Sequence, residues 1–180
     1  MNDIWLKPLE IEDGKQYCDL LIELANYKNA FARPVPSDFM YDDFEKFKST
    51  RVKMVTGEVS GKKVVPTNTY WVMYSNIPIG YATLKHEAAY DKPGGHIGCC
   101  LKKEYQNQGI GTIVSDILSS IAYHDLGITE LVYSSKSENT QSQKSVDKIG
   151  GTLVTINNGY HFYKVDLEKK FNNERRVIKW

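Results

Sequence analysis

The residues best suited to chemistry lie at positions 106–112, where two glycines and two glutamines join an apolar stretch to an amphipathic one. The first N–H groups of a helix have no partner within the helix and carry the positive end of its dipole, so an anion binds there readily. Gly109 and Gly111 carry no Cβ, which lets a pyrophosphate approach the backbone closely. Gln106 and Gln108 add side-chain donors beside them. The segment predicts a phosphate-binding turn.

The elements around this turn follow from the spacing of apolar residues. Residues 96–101 are short and largely apolar, which predicts a strand before the turn. After the turn, apolar residues recur at alternating spacings of three and one, which indicates the buried stripe of a helix: Ile110, Ile113, Val114, Ile117, Leu118, Ile121 and Ala122. Farther along, residues 130–134 predict a strand and a helix ends near 148–151, after which Asn157-Asn158-Gly159 predicts a hairpin.

Two commoner phosphate-binding motifs are excluded. A Walker A loop requires lysine and then Ser or Thr after its last glycine, whereas Thr112 and Ile113 follow Gly111. A dinucleotide fingerprint requires a third glycine three residues after the second, and that position is Val114. The turn therefore belongs to neither nucleotide fold.

The spacing of Gln106, Gly109 and Gly111 at a strand-to-helix junction resembles the signature of the GNAT superfamily of acyl-CoA-dependent N-acyltransferases. A second mark of that family is an Asn followed three residues later by a small residue, with Lys-x-Gly closing the helix. Here these are Asn139, Ser142 and Lys148-Ile149-Gly150. Over most of its length the chain also looks like a bacterial group of predicted acetyltransferases.

The resemblance implies a single α/β domain over residues 1–180, with a mixed, mainly antiparallel sheet of about six or seven strands flanked by about four helices. It implies acetyl-CoA as co-substrate, with residues 94–151 as the approximate binding core and the N-terminal half on the acceptor side. The expected cofactor-binding residues are Cys100, Leu101, Gln106, Gln108, Gly109, Ile110, Gly111, Thr112, Asn139, Ser142 and Lys148. Nearby lysines could meet the adenosine phosphates: Lys102, Lys103, Lys136, Lys144 and Lys148.

In that family an amine attacks the thioester directly, without a covalent intermediate or a metal, while a backbone N–H near Leu101 would polarise the carbonyl. The amine must first lose a proton, so a base is expected within hydrogen-bond reach. His86 and Glu87 are the first candidates, and since side chains alternate along a strand, at most one of them would face the cleft. His96 is a third option. Cys99 and Cys100 are expected to be core residues and not nucleophiles.

The chain departs from the family pattern at the usual general acid. Many members carry a tyrosine seven residues after the asparagine, where this chain has Val146. Ser145, Tyr133 or Tyr163 could substitute, or the thiolate could leave unassisted. The expected function is transfer of acetyl to a primary amine of a small molecule or protein, and the alternative is a non-catalytic acyl-CoA-binding sensor or regulatory module.

The first half of the chain is expected to select the acceptor, because the first two helices cover that site in the family. Glu12 or Asp13 could cap the first helix, which would run to about Tyr27 with a buried stripe comprising Tyr17, Leu20, Leu21, Leu24 and Ala25. The resemblance implies that some of Phe31, Arg33, Phe39 and Tyr41 line the acceptor site.

Composition narrows the setting in which the protein works. The formal net charge is +1 over 180 residues, which gives no electrostatic case for nucleic-acid binding. No apolar run approaches the ~20 residues of a membrane span, and the first residues lack a signal-peptide pattern, so a cytoplasmic location without membrane contact is expected. Three cysteines offer no disulfide framework, and no metal site is expected. A homodimer is possible.

Overall fold

The structure is a computed structural model that describes residues 4–27 and 34–177. The strands are β1 (Ile4–Pro8), β2 (Glu58–Val59), β3 (Lys62–Lys63), β4 (Thr67–Tyr74), β5 (Ile77–Lys85), β6 (Ile97–Leu101), β7 (Glu130–Lys136), β8 (Thr152–Asn157) and β9 (Tyr160–Asp166). The helices are α1 (Lys15–Ala25), α2 (Phe44–Met54), α3 (Ile110–His124), α4 (Thr140–Lys148) and α5 (Leu167–Val177). Short 3₁₀ turns precede α2 and α3.

Seven of these strands form two antiparallel sheets, one with the order β1-β4-β5-β6 and one with the order β7-β9-β8. The small β2–β3 hairpin lies apart from both. The two sheets meet where the His96 N–H donates to the Val132 carbonyl at 2.8 Å. Beyond that point no described ladder joins β6 to β7, so the two strands diverge. The predicted fold class, an α/β fold with a mainly antiparallel set of strands flanked by helices, is confirmed.

The hairpin between β8 and β9 has the turn that the Asn-Gly sequence predicts. Asn157 pairs with Tyr160, so the loop between β8 and β9 contains only Asn158 and Gly159. Their φ angles are 49° and 76°. Two successive left-handed residues are what a type I′ hairpin turn requires, and Asn-Gly tolerates that conformation best. The predicted hairpin is confirmed.

Helices cover both faces of the first sheet. The stripe of α3 packs on the face that carries Tyr70 and Val72, while α1 and α2 pack on the opposite face, which carries Trp71 and Met73. The predicted α1 stripe is buried in full: Tyr17, Leu20, Leu21, Leu24 and Ala25. Two separate cores therefore fix the sheet between the helix that follows the glycine turn and the two helices of the N-terminal half.

The start of α1 differs from the prediction. The N-cap residue is Gly14, and no side chain caps the helix, so neither Glu12 nor Asp13 has that role. Asp13 is 5% exposed, and its carboxylate accepts a hydrogen bond from the Trp71 indole N–H at 2.7 Å. The buried indole needs an acceptor, and that long-range contact turns the carboxylate away from the helix.

Within the described residues, no helix has the length and apolar character needed to cross a membrane.

Candidate active site

A cleft of about 620 Å³ opens where β6 and β7 diverge. It extends from β6 past the glycine turn to β7 and α4. Nine of the predicted cofactor residues line it: Cys100, Leu101, Gln106, Gly109, Gly111, Thr112, Asn139, Ser142 and Lys148. The other two do not, because Ile110 is buried in the core and the exposed Gln108 side chain donates to the Glu104 carbonyl. The structure thus brings together most of a set chosen from sequence.

The glycine turn presents free backbone donors to this cleft. Gly109 is the N-cap of α3 in the left-handed conformation, with φ +81°, and its carbonyl accepts from Thr112 N–H at 3.0 Å and Ile113 N–H at 3.2 Å. The N–H groups of Ile110 and Gly111 make no hydrogen bond to the described residues. A Cβ built at Gly111 would meet no atom within 4 Å. The helix terminus is therefore open to an anion from the cleft side.

Two of the signature side chains act locally. The Gln106 amide donates to the Leu101 carbonyl at 2.9 Å, which ties the turn to the end of β6. Asn139 is the N-cap of α4, and its Oδ1 accepts from the Ser142 N–H at 3.1 Å. Both residues therefore hold the cleft walls in place. The Gln108 amide likewise donates to a backbone carbonyl, so donation by either glutamine to the phosphate stays a prediction.

The cleft carries positive charge. Lys136, Lys144 and Lys148 line it, and no aspartate or glutamate is found among its described lining residues. Lys102 lies elsewhere, paired with Glu23 at 3.0 Å, and Lys103 does not line the cleft either. Three lysines beside an open helix N-terminus favour a ligand with several phosphate charges.

The edge of β6 supplies further backbone donors. Lys85 N–H donates to the His96 carbonyl and Lys102 N–H donates to the Ile79 carbonyl, each at 2.8 Å. In an antiparallel ladder the backbone groups of successive residues point to alternate edges, so even-numbered residues of β6 face β5. The N–H groups of Cys99 and Leu101 then face the cleft. They can polarise a carbonyl held along that edge.

A second, smaller cavity adjoins the cleft on the α1–α2 side of the sheet. Its volume is about 150 Å³, and its lining residues are Pro34, Arg51, Tyr81, Thr83, Gly98, Cys99 and Cys100. The last three of these also line the large cleft. The two cavities therefore meet at β6.

Comparison with known proteins decides the family. A sequence profile described as the acetyltransferase (GNAT) domain matches residues 4–152. The chain belongs to the GNAT acetyltransferase family. The predicted superfamily and enzyme class are confirmed, and no curated protein matches this GNAT chain significantly.

Solved structures share the fold of this GNAT chain at low sequence identity. Campylobacter jejuni N-acetyltransferase PseH in complex with acetyl coenzyme A is 16% identical, with a TM-score of 0.61 over 91% of this chain and 98% of that one. Salmonella typhimurium yncA, a putative acetyltransferase with its cofactor acetyl-CoA, is 13% identical, with a TM-score of 0.61 over 92% and 95%. A spermidine N-acetyltransferase SpeG chimera from Vibrio cholerae and hSSAT is 16% identical, with a TM-score of 0.64 over 94% and 98%.

The two first candidate bases lie away from the cleft of this GNAT protein. His86 follows β5, and its Nε2 is 2.5 Å from the Asn68 Oδ1, while Glu87 is exposed. Neither residue lines either cavity. The end of β5 pairs with the start of β6, where the two sheets are still joined. The sequence predicts that at most one of these side chains faces the cleft, and neither of them lines it, so a role as the base stays a prediction.

We expect His86→Gln and Glu87→Gln to retain acetyl-transfer activity within about threefold of wild type, because neither side chain reaches the cleft and surface substitutions have small effects. The measurement is kcat/KM for an accepted amine, determined from CoA release. A hundredfold loss in either variant would restore that residue as the base.

His96 has a structural role at the junction of the sheets. It is 6% exposed, and its Nδ1 accepts from the Val132 N–H at 2.9 Å, which assigns the proton of the neutral ring to Nε2. Burial lowers the pKa of His96. The neutral ring thus accepts a hydrogen bond that a backbone carbonyl accepts in a regular sheet. It does so at the last point where the two sheets are hydrogen-bonded.

The lowered pKa of His96 predicts a pH-dependent stability. The unfolded chain binds a proton near pH 6.5 and the folded chain resists it, so this contribution is complete above about pH 6.5 and is lost as the pH falls below it. We expect the difference in unfolding free energy between wild type and His96→Asn to be constant from pH 7 to 8 and to shrink below pH 6.5. Urea denaturation at each pH measures it. A difference that does not change with pH would show that His96 does not titrate on unfolding.

The structure places some of the candidate general acids for the leaving thiolate in the cleft and others outside it. Val146 is fully buried, so its position offers no proton to the cleft. Ser145 and Tyr133 line the cleft, whereas Tyr163 does not. Burial raises the pKa of Tyr133, which keeps its hydroxyl protonated. Tyr160 also lines the cleft, and sequence reasoning missed it.

The adjacent cysteines are poor nucleophiles. Burial raises the pKa of the Cys99 thiol to about 12 and that of the Cys100 thiol to about 11. Nucleophilic attack requires the thiolate, and both thiols are protonated near neutral pH. Both thiols are therefore poorly suited to form a covalent intermediate.

The predicted acceptor residues lie partly outside the part of the chain that the structure describes. Phe31 and Arg33 lie outside the described residues. Tyr41 is 47% exposed, donates a hydrogen bond to Asp19, and lines neither cavity, so its place at the acceptor site stays a prediction. The side chain that α2 places beside β6 is Arg51. No motif in the sequence distinguishes Arg51 from the other charges of that helix.

Proposed function

We propose that this protein transfers an acetyl group from acetyl-CoA to a primary amine of a small molecule or protein by direct attack. The observation that carries the proposal is the junction of the two cavities at β6. The large cleft is lined by the N-terminus of α3, with its unbonded N–H groups, and by three lysines. The smaller cavity reaches β6 from the α1–α2 side of the sheet. A polyphosphate donor and a small acceptor can thus meet at Gly98–Cys100.

Each part of the large cleft matches one part of the donor. The N–H groups of Ile110 and Gly111, together with Lys144 and Lys148, would hold the pyrophosphate. The N–H groups of Cys99 and Leu101 would bond the pantetheine arm and the thioester carbonyl. Residues 94–151 would then form the donor core, with the N-terminal half covering the acceptor. The structural neighbours with acetyl-CoA in their names support this assignment.

Proton transfer in the proposed reaction involves solvent. No carboxylate or imidazole is found among the described lining residues of either cavity. The amine would enter unprotonated or release its proton through water. The hydroxyl of Ser145, which lines the cleft, would be the donor to the departing thiolate. The absence of a side-chain base from this part of the structure also keeps open the alternative of a non-catalytic acyl-CoA-binding module.

Calorimetric titration with acetyl-CoA, with NAD and ATP as controls, tests the donor. We expect saturable binding of acetyl-CoA alone. CoA release with a panel of amines then tests turnover. Binding of acetyl-CoA without release on any amine would favour the binding module, and no binding at all would contradict the proposal.

A further inference from the structure

The smaller cavity, which we call the Arg51 pocket, is bounded by Pro34, Arg51, Tyr81 and Thr83 together with Gly98–Cys100 of β6. Its volume of about 150 Å³ equals about five water molecules. Because it shares three residues of β6 with the large cleft, any occupant lies beside the proposed position of the thioester. The occupant is therefore a small group that is close to the reacting amine.

Arg51 brings a positive charge with few partners to this pocket. Its guanidinium lies 5.2 Å from the centroid of the Phe47 ring and 5.8 Å from that of the Tyr81 ring. Its hydrogen bonds in the described structure are two long contacts of 3.5 Å, one to the Pro34 carbonyl and one to the Met54 sulfur. No ion pair involves it among the described residues. A guanidinium has five N–H donors, so several are available.

Two buried hydroxyls also lie near this pocket. Tyr81 is 6% exposed, and its hydroxyl and that of the neighbouring strand's Thr69 have only each other as a hydrogen-bonding neighbour in the described structure. Burial raises the pKa of Tyr81, and the Arg51 charge acts in the opposite direction. The Arg51 guanidinium makes only two long hydrogen bonds and has donors to spare, so it is the group at this pocket best able to bind an acceptor.

Lys48, which lies one turn before Arg51 in α2, fixes the position of that helix. Lys48 is 3% exposed, and its ammonium donates to the Ile11 carbonyl at 2.7 Å and the Asp13 carbonyl at 2.9 Å. These bonds anchor α2 to the loop before α1. Residues at i and i+3 lie on neighbouring positions of a helix surface, so the anchor at Lys48 also fixes the place from which Arg51 extends.

We propose that the acceptor is a small amine that carries a carboxylate, which Arg51 binds while the amine faces the thioester at β6. This inference rests on the proposed acetyl transfer. A guanidinium forms two parallel hydrogen bonds with a carboxylate, and no acidic side chain lines either cavity in the described structure to compete for it. Arg51 thus selects the substrate by its charged end and takes no part in the chemistry.

Matched pairs of acceptors test this assignment. The pairs are glycine with glycinamide, β-alanine with β-alaninamide, and 4-aminobutanoate with 4-aminobutanamide, compared at equal concentrations of the unprotonated amine and saturating acetyl-CoA. We expect wild type to favour the acid of at least one pair by about 10- to 100-fold in kcat/KM, since hydrogen bonds to a charged group are lost with the amide. Arg51→Met should abolish that preference, because KM for the acid rises by much more than any change in kcat/KM for the matched amide.

Two further variants separate specific binding from general charge effects. Arg51→Lys keeps the charge but not the paired donors, and should recover only part of the preference. Lys53→Met removes an exposed charge from the same helix and should leave the preference intact. Thermal unfolding and acetyl-CoA titration of each variant verify that the fold and the donor site are unchanged.

The outcomes distinguish this inference from the proposed function. If acetyl-CoA binds and amines are acetylated without preference for the acids, or if peptide amines alone are acetylated, the carboxylate acceptor is overturned and the acetyl transfer stands. An equal loss on acid and amide in Arg51→Met would also overturn it. If acetyl-CoA does not bind, the proposed function itself fails. Preference for 2-aminoethyl phosphate over the carboxylates would replace the carboxylate with a phosphate.

Discussion

Replacing Gly111 with glutamate is expected to abolish acetyl-CoA binding while the protein still folds. A side chain at position 111 would meet no protein atom near its Cβ, so it would project into the cleft beside the open N–H groups of α3. Two unit charges 4 Å apart repel by about 4 kcal/mol near a protein surface, which alone corresponds to about a thousandfold in affinity. Calorimetric titration with acetyl-CoA measures the loss, and thermal unfolding verifies the fold.

Two other substitutions at the same position separate charge from bulk. Gly111→Gln has nearly the same shape as the glutamate variant without its charge, and should bind more tightly than that variant. Gly111→Ala adds only a Cβ that meets no protein atom, and should lose much less affinity than either larger variant. Gly109 is unsuitable for this series, because its φ of +81° would strain any other residue. Normal acetyl-CoA affinity in a folded Gly111→Glu would refute the assignment of the turn.

The second large effect concerns stability. Asp13→Ala is expected to lower the unfolding free energy by about 3–5 kcal/mol, the range for breaking a buried charge pair. The Asp13 carboxylate accepts from the Lys7 ammonium at 2.6 Å, and from the Glu10 N–H and the Trp71 indole N–H at 2.7 Å each. Trp71 is fully buried, so its N–H would lose its acceptor without gaining water. Urea denaturation measures the change.

Glu10→Ala is the matched control for that variant. Glu10 also pairs with Lys7, at 2.7 Å, but its side chain is 57% exposed. Exposed ion pairs contribute about 0–1 kcal/mol, so its removal should have little effect. A loss below about 1 kcal/mol in Asp13→Ala would mean that the surrounding groups find other partners.

What could be predicted from the sequence was local. The α3 stripe follows from spacing within one helix, and the β8–β9 turn follows from the preference of Asn-Gly for left-handed backbone. The cofactor residues could be chosen because the glycine turn and the strand before it are adjacent in the chain. Family resemblance added Asn139 and Ser142, which lie on the far wall of the same cleft.

What could not be predicted depends on contacts between distant segments. Asp13 is one of two residues that the sequence offers as the cap of α1. Its carboxylate instead accepts a hydrogen bond from the indole N–H of Trp71, 58 residues away. His86 looked suitable as a base by residue type, and only the pairing of β5 with β6 shows that it lies at the joined end of the sheets. The sequence gives no signal for Arg51, because the role proposed for it depends on its position beside β6.

The residues that line the two cavities come from different parts of the sequence. Every described residue that lines the large cleft falls between positions 93 and 160, whereas the Arg51 pocket takes its remaining walls from positions 34 to 83. Only three residues of β6 serve both. Under the proposed function, substitutions before position 93 can change which acceptor is bound while the residues that line the donor cleft stay the same. A new acceptor preference would then be encoded in one contiguous N-terminal segment.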